Sequence, residues 1–267
     1  QKGEWDWDAF AKIVEQTTVV TDGEVTQYGV GGSNLLDALC LSNGFSLISM
    51  DTENQKFTCG LYTDAGTNVL NFLRKLTFEL KGCDGQYGGH NSQITFGDSK
   101  VAMLVSTAYY PGRFIVSGMP IMTVPMPKGP DADGYVNGLE MQEWWMVSAI
   151  SDFTKEELIQ VALDMNDNDP AYEDTYFSEE GKRENFVTRM YDGLVVTTEE
   201  EAEFFYDFIT SDDVDTILNI STTDIVSIMW QNVFGPISVG EDPRGVLESV
   251  KPVIDEALKD MLPDSLK

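Results

Sequence analysis

The residues able to do chemistry are few. His90 is the only histidine, so a Ser-His-Asp or Cys-His mechanism would have to use it as its base. It sits in Gly88-Gly89-His90-Asn91, which reads as a solvated loop. The three cysteines, Cys40, Cys59 and Cys83, are odd in number and none has CxxC spacing. Neither a disulfide framework nor a zinc site of Cys and His ligands is expected from them. Asp164, Asn166 and Asn168 have the oxygen spacing of a calcium loop, but its sixth position is Asp169 instead of glycine and its twelfth is Thr175 instead of glutamate. The run therefore reads as an acidic helix end. Glu199-Glu200-Glu201 is what the positive end of a helix dipole favours. With 45 acids, a carboxylate pair for glycoside hydrolysis can be neither excluded nor singled out. Gly85 to Gly89 lacks the Lys-Ser/Thr of a phosphate-binding loop. No catalytic residue, metal ligand or cofactor is expected.

What remains is aromatic: Tyr109-Tyr110-Pro111-Gly112, Trp144-Trp145 and Trp230. Such flat side chains stack on the apolar faces of sugar rings, and they equally fill protein cores.

These residues need elements to hold them. Asp6 caps a first helix whose stripe is Phe10, Ile13 and Val14. Thr21-Asp22-Gly23-Glu24 is a turn, Gln27 to Val30 a short strand ending in Gly31-Gly32, and Ser33 to Leu41 a helix stopping near Asn43-Gly44. Phe45 to Ser49 and Lys56 to Cys59 are strands joined by a polar turn. Val69, Phe72, Leu73, Leu76 and Leu80 form one helical face. Gly82 to Asn91 is a glycine-rich loop; Gln93 to Lys100 is a short helix and turn, Val101 to Val105 a fully buried strand, and Thr107 to Phe114 a helical turn or loop. Ile121 to Met126 is a strand, Lys128 to Asp131 a surface loop, and Leu139 to Ile150 a long strand, after which the chain is almost entirely helical. Capping boxes are expected at Thr154/Glu157 and Thr198/Glu201, with a looser one at Ser221/Asp224. The last helix starts with Asp242 and Pro243, buries Val246, Val250, Val253, Ala257 and Met261, and is kinked or split by Pro252. The fold class is α/β.

Composition sets the outer bounds. Hydrophobic residues make up 42% of the 267, which places the chain among globular proteins. A net charge of −28 repels nucleic acid and anionic lipid. It serves solubility, or adaptation to a halophilic or cation-rich setting.

The order of segments resembles the extracellular solute-binding proteins of ABC importers, in particular the carbohydrate-binding family that includes maltose-binding protein. The residues that carry the resemblance are Trp5-Asp6-Trp7-Asp8-Ala9-Phe10, Gln27-Tyr28-Gly29, Gln93 to Met103, Val124 to Pro130, Trp145 to Ile150 followed by Thr154 to Leu158, Met229-Trp230 and Asp255 to Leu258. Ser99 departs from the pattern, standing where the family has a glycine before lysine, and Pro170 to Ser221 matches nothing in it. The resemblance implies the C-terminal lobe of a periplasmic-binding-protein-like (type II) fold with a helix-rich C-terminal segment. Its parts would be a ligand-binding lobe at 1–138, an inter-lobe crossing strand and helix at 139–169, and a helical segment at 170–267 packing on the lobe. The start at Gln1 fits an excised or processed piece. The implied role is capture of an extracellular solute, a sugar or oligosaccharide, for delivery to the permease subunits, with no bond made or broken. The implied location is extracytoplasmic, lipid-anchored or periplasmic. On the same resemblance Tyr109, Tyr110 and Trp230 stack on the ligand, Ser33 and Asn34 give polar contacts from a helix start, and one of Trp144 and Trp145 faces the cleft. The alternatives are a surface glycoside-processing enzyme and an acidic protein-interaction module.

Overall fold

The computed structural model describes residues 5–32, 34–51, 53–83, 90–107, 110–139, 153–154, 156–158, 160, 178–218 and 223–261. Helix α1 (Trp7–Thr17) begins where Asp6 accepts a hydrogen bond from the Ala9 N–H at 2.9 Å. It buries Trp7, Phe10 and Val14. Strands β1 (Val19–Thr21) and β2 (Glu24–Gly31) form an antiparallel hairpin. Its turn residues Asp22 and Gly23 both have positive φ, the geometry that suits the twist of a two-residue hairpin. β1 was not foreseen from the sequence. α1 lies tightly along β2: a Cβ at Gly29 would come within 2.4 Å of the Val14 carbonyl oxygen.

Helix α2 (Leu35–Ser42) ends at Asn43 and the left-handed Gly44, as its sequence predicts. Strands β3 (Ile48–Asp51) and β4 (Lys56–Cys59) form a second hairpin. Helix α3 (Asp64–Arg74) runs on into a π-helical turn at Lys75–Glu79. The expected face is buried through Val69, Phe72, Leu73 and Leu76; the wider π turn rotates the chain, leaving Leu80 only partly buried. Helix α4 (His90–Gly97) contains His90, so the loop reading of that residue is corrected: its backbone is helical.

Strand β5 (Val101–Leu104) runs parallel to β2, giving the order β1-β2-β5. Only Val101 of this strand is fully buried, because β5 has β2 as its one ladder partner among the described residues. Helix α5 (Pro111–Val116) follows. Among the described residues Ile121 to Met126 joins no ladder, which corrects the expected strand. Pro125 and Pro127 lack N–H donors, and the stretch is held instead by isolated bonds. The Trp5 indole donates to Pro125 O at 2.8 Å, Lys128 N to Trp5 O at 3.0 Å and Trp7 N to Lys128 O at 3.1 Å. Two of the motifs behind the family resemblance thus lie side by side. The expected surface loop at Lys128 to Asp131 is clamped to the end of α2. Gly129 is buried, its N–H donates to Ser42 O at 2.7 Å, and Asp131 accepts from the side-chain amides of Asn43 and Asn68.

The region expected to be helical also supplies a strand. β6 (Tyr135–Leu139) pairs in parallel with β7 (Val214–Leu218), about 80 residues later in the chain. The expected strand Leu139 to Ile150 lies, beyond Leu139, outside the described residues, as do the Asp164–Asp169 run and the Ser221/Asp224 cap. Thr154 and Glu157 do form a reciprocal box: Thr154 N donates to Glu157 Oε2 at 2.8 Å and Glu157 N to Thr154 Oγ1 at 3.2 Å. Between β6 and β7 stand helices α6 (Glu179–Asp192) and α7 (Glu199–Thr210), an antiparallel hairpin. Thr198 caps α7 by accepting from Glu201 N, but the Glu201 carboxylate reaches back to Thr197, one residue earlier than the expected box.

Helix α8 (Thr223–Ile228), a π turn at Met229–Phe234 and helix α9 (Gly235–Ser238) lead to helix α10 (Pro243–Asp260). Asp242 caps α10, accepting from Gly245 N at 2.9 Å. Pro252 does not split it, and its buried residues are Pro243, Val246, Val250, Ile254 and Leu258. Val253, expected inside, is half exposed; the true stripe steps by four residues, which carries it past Val253 to Ile254. One apolar core joins α1 to α3 with α8 to α10, including Leu39, Leu73, Leu76, Ile225, Met229 and Ile237.

Candidate functional site

The parallel pair β2 and β5 determines where the candidate ligand residues can meet. Both strands run in the same direction with Gly31 opposite Leu104, so both chains leave the sheet at one edge. Val105 N donates to Gly31 O at 2.8 Å, which keeps them together to the last residue. Gly32 has φ +146, and a Cβ there would come within 2.2 Å of Val105 O. Glycine is required at this crossing on both counts. Cys83 also reaches this edge, in a parallel bridge with Val30.

Beyond the edge each chain turns into a helix. Asn34 is the N-cap position of α2 and Tyr110 that of α5. Open α/β sheets bind ligands in the crevice outside the carboxyl ends of their parallel strands, and Asn34 and Tyr110 stand on that side. Tyr110 is partly buried, with its N–H donating to Thr107 O at 3.2 Å and the Arg113 guanidinium 5.2 Å from its ring centre. Pro111 at the first helical position fixes the backbone φ that α5 needs. The helix is anchored from below by Phe114, buried edge-on against Phe96 of α4 at 4.8 Å. From the side, Gly112 packs on Leu194 at the end of α6, and Thr123 Oγ1 donates to Val195 O at 3.1 Å.

The other aromatic candidates separate from these. Trp230 is 6% exposed, packed in the core with its ring 4.1 Å from that of Phe234. Ser33, Tyr109, Trp144 and Trp145 lie outside the described residues. Arg113 was not singled out from the sequence, although its position three residues after Tyr110 at a helix start was the available signal.

A second polar group lies elsewhere, between β4 and α10. Tyr62 donates its hydroxyl to Asp255 Oδ1 at 2.9 Å, Lys251 Nζ is 3.0 Å from Asp255 Oδ2, and the same ammonium sits 3.8 Å over the Tyr62 ring. Burial, then the hydrogen bond to Asp255, holds the Tyr62 phenol well above its usual range. Beside it a hollow of about 240 Å³ is lined by Lys56, Phe57, Asp255, Leu258 and Lys259. This arrangement pins α10 to the β3–β4 hairpin. Two of the thiols are held in the neutral form: burial pushes Cys59 up to about 12 and Cys40 well above the ordinary thiol range, with Asp37 adding to the latter. Among the described residues no group of three or more His, Cys, Asp or Glu is placed to hold a metal ion.

No protein-family model and no curated protein matches the chain. Solved structures do. The maltose/maltodextrin-binding domain MalE from Bdellovibrio bacteriovorus, bound to maltotriose, superposes with a TM-score of 0.56 at 13% identity, covering 96% of this chain and 67% of its own. An ABC substrate-binding protein from Listeria monocytogenes in complex with cycloalternan gives 0.57 at 14% identity, covering 97% and 65%. A cyclo/maltodextrin-binding protein complexed with maltotetraose gives 0.59 at 15% identity, covering 97% and 66%. The chain spans about two thirds of the length of these structures. An α/β core whose parallel strands end in helix-start loops, superposing over nearly its whole length on these proteins, has the fold of the type II periplasmic binding proteins.

Proposed function

We propose that this chain belongs to the substrate-binding component of an ABC importer and captures an extracellular carbohydrate, a sugar or oligosaccharide, for delivery to the permease subunits. The observation that carries the reading is the parallel register of β2 and β5, which brings the helix-start loops holding Asn34 and Tyr110 to one sheet edge. The shared fold supports it, as do the oligosaccharides bound by the three proteins above. In this role Asn34 and Ser33 bond to sugar hydroxyls, and Tyr109 and Tyr110 stack on the apolar face of a ring. Trp144 and Trp145 belong to the same proposal, to be ranked by alanine substitution, while Trp230, expected to stack on the ligand, is withdrawn from it because its ring is spent in the core against Phe234. Binding closes and releases a solute without chemical change, so no catalytic group is required. The place of action is extracytoplasmic, at the cell surface on a lipid anchor or in the periplasm; no helix among the described residues is long and apolar enough to cross a membrane.

The test is a thermal-shift screen of the natural full-length protein against mono- and oligosaccharides. A ligand at one hundred times its Kd stabilises the native state by about 2.7 kcal/mol, a clear rise in Tm. The reading expects such a rise with one sugar class, lost in Tyr110→Ala. A rise with peptides or polyamines only would overturn the carbohydrate, and no rise with any solute would overturn capture itself.

A further inference from the structure

We propose that Arg113 is a positioning residue for Tyr110, holding its ring at a fixed angle above the sheet edge. Tyr110 and Arg113 are three residues apart at the start of α5 and therefore share a face. The guanidinium carbon lies 5.2 Å from the ring centre, within the range of cation–π attraction. Backbone geometry fixes the pair as well: Arg113 N donates to Tyr110 O at 3.1 Å, with Pro111 between them. The platform beneath is rigid, since Phe114 is buried on Phe96 and Gly112 rests on Leu194. A ring already held at its binding angle loses less rotational freedom when a sugar stacks on it. Arg113 thereby converts an aromatic residue at a loop end into a preset surface. What that surface is for rests on the carbohydrate reading; the pairing itself does not.

The experiment has two arms in the natural full-length protein. In the first, tyrosines are replaced by 3-fluorotyrosine and the Tyr110 fluorine resonance is assigned with Tyr110→Phe. Arg113→Gln is expected to move that resonance toward its free amino-acid position while Arg113→Lys, which keeps a cation, moves it less. The other tyrosine resonances report that both variants fold. An unmoved Tyr110 resonance in Arg113→Gln overturns the proposal. In the second arm maltotriose is titrated calorimetrically. Arg113→Gln is expected to raise Kd about threefold and Arg113→Lys by less, with no further effect of Arg113→Gln in a Tyr110→Ala background. Equal losses in the two Arg113 variants, or an added loss in the Tyr110→Ala background, would show the guanidinium acting on the sugar directly and sink the positioning role. Absent maltotriose binding, or binding indifferent to Tyr110→Ala, counts against the carbohydrate reading alone, and the fluorine result then decides the role of Arg113.

Discussion

Leu73 on α3 and Arg183 on α6 represent two ways of holding a helix in this molecule. Leu73 is wholly buried in an apolar core that joins α1 to α3 with α8 to α10. Arg183 lies at the surface of the α6–α7 hairpin, bonded to Glu203 and Asp207, with its guanidinium 4.6 Å from the Tyr206 ring centre. In that hairpin full burial is confined to Gly181, Val196, Ala202 and Tyr206 among the described residues. The core region is held by area removed from water, which salt does not weaken; the hairpin leans on charge pairs and caps, which salt and local substitution do. The candidate site draws on both. The sheet edge at Gly32 belongs to the core region, while just past the end of α6 Leu194 braces α5 at Gly112 and Val195 holds Thr123 in the stretch that follows. Stability at the site and geometry at the site therefore come from different regions.

This contrast is open to measurement. The largest effect is expected at the sheet edge: Gly32→Val forces a side chain onto Val105 O at a left-handed position and should destabilise by about 2–6 kcal/mol in urea unfolding. A wild-type midpoint would mean the two strands do not meet there. Leu73→Ala should cost about 2–5 kcal/mol with no salt dependence, and a salt-dependent loss would blur the contrast. Third comes pH. Because the folded thiol of Cys59 is raised, its contribution to stability is full below its ordinary value of 9.0 and is lost as pH rises toward about 12. The loss should not exceed about 1.36 kcal/mol per pH unit. Denaturation series at pH 7 to 10 should show a smaller downward slope in Cys59→Val than in wild type, and an identical slope would place the titrating group elsewhere.

In the hairpin, Thr198→Ala should lower stability by about 1 kcal/mol through loss of the cap to Glu201 N, seen as a small drop in Tm. The smallest effect is expected for Arg183→Ala, whose charges are solvent-exposed. Its Tm should fall slightly at low salt and match wild type in molar salt. A loss that persists in molar salt would assign the hairpin to packing instead and remove the contrast.

Much of the local structure was readable from sequence. Asp6, Thr154, Thr198 and Asp242 each capped a helix as expected, because a cap involves only the next three residues. Asp22-Gly23 and Asn43-Gly44 marked their turns through dihedrals that few residues adopt. At the site, Asn34 and Tyr110 were legible as residues near helix starts for the same reason. The distinction between Tyr110 and Trp230 was not. Both are large aromatic residues in helical surroundings, and only the packing of α8 to α10 against α3 decided that Trp230 enters the core.

The sequence by itself determined the α/β class, the caps, the turns and most helical faces, since these follow from hydrogen bonds and side-chain periods spanning four residues or fewer. Partners distant in the chain were decided by the tertiary structure alone. β6 found β7 across the α6–α7 hairpin, Ile121 to Met126 found no ladder among the described residues, and β2 met β5 in the register that carries Asn34 and Tyr110 to one edge. Strand pairing is a choice among many chemically similar backbones, and that choice is made by which faces can be buried together once the whole chain has folded.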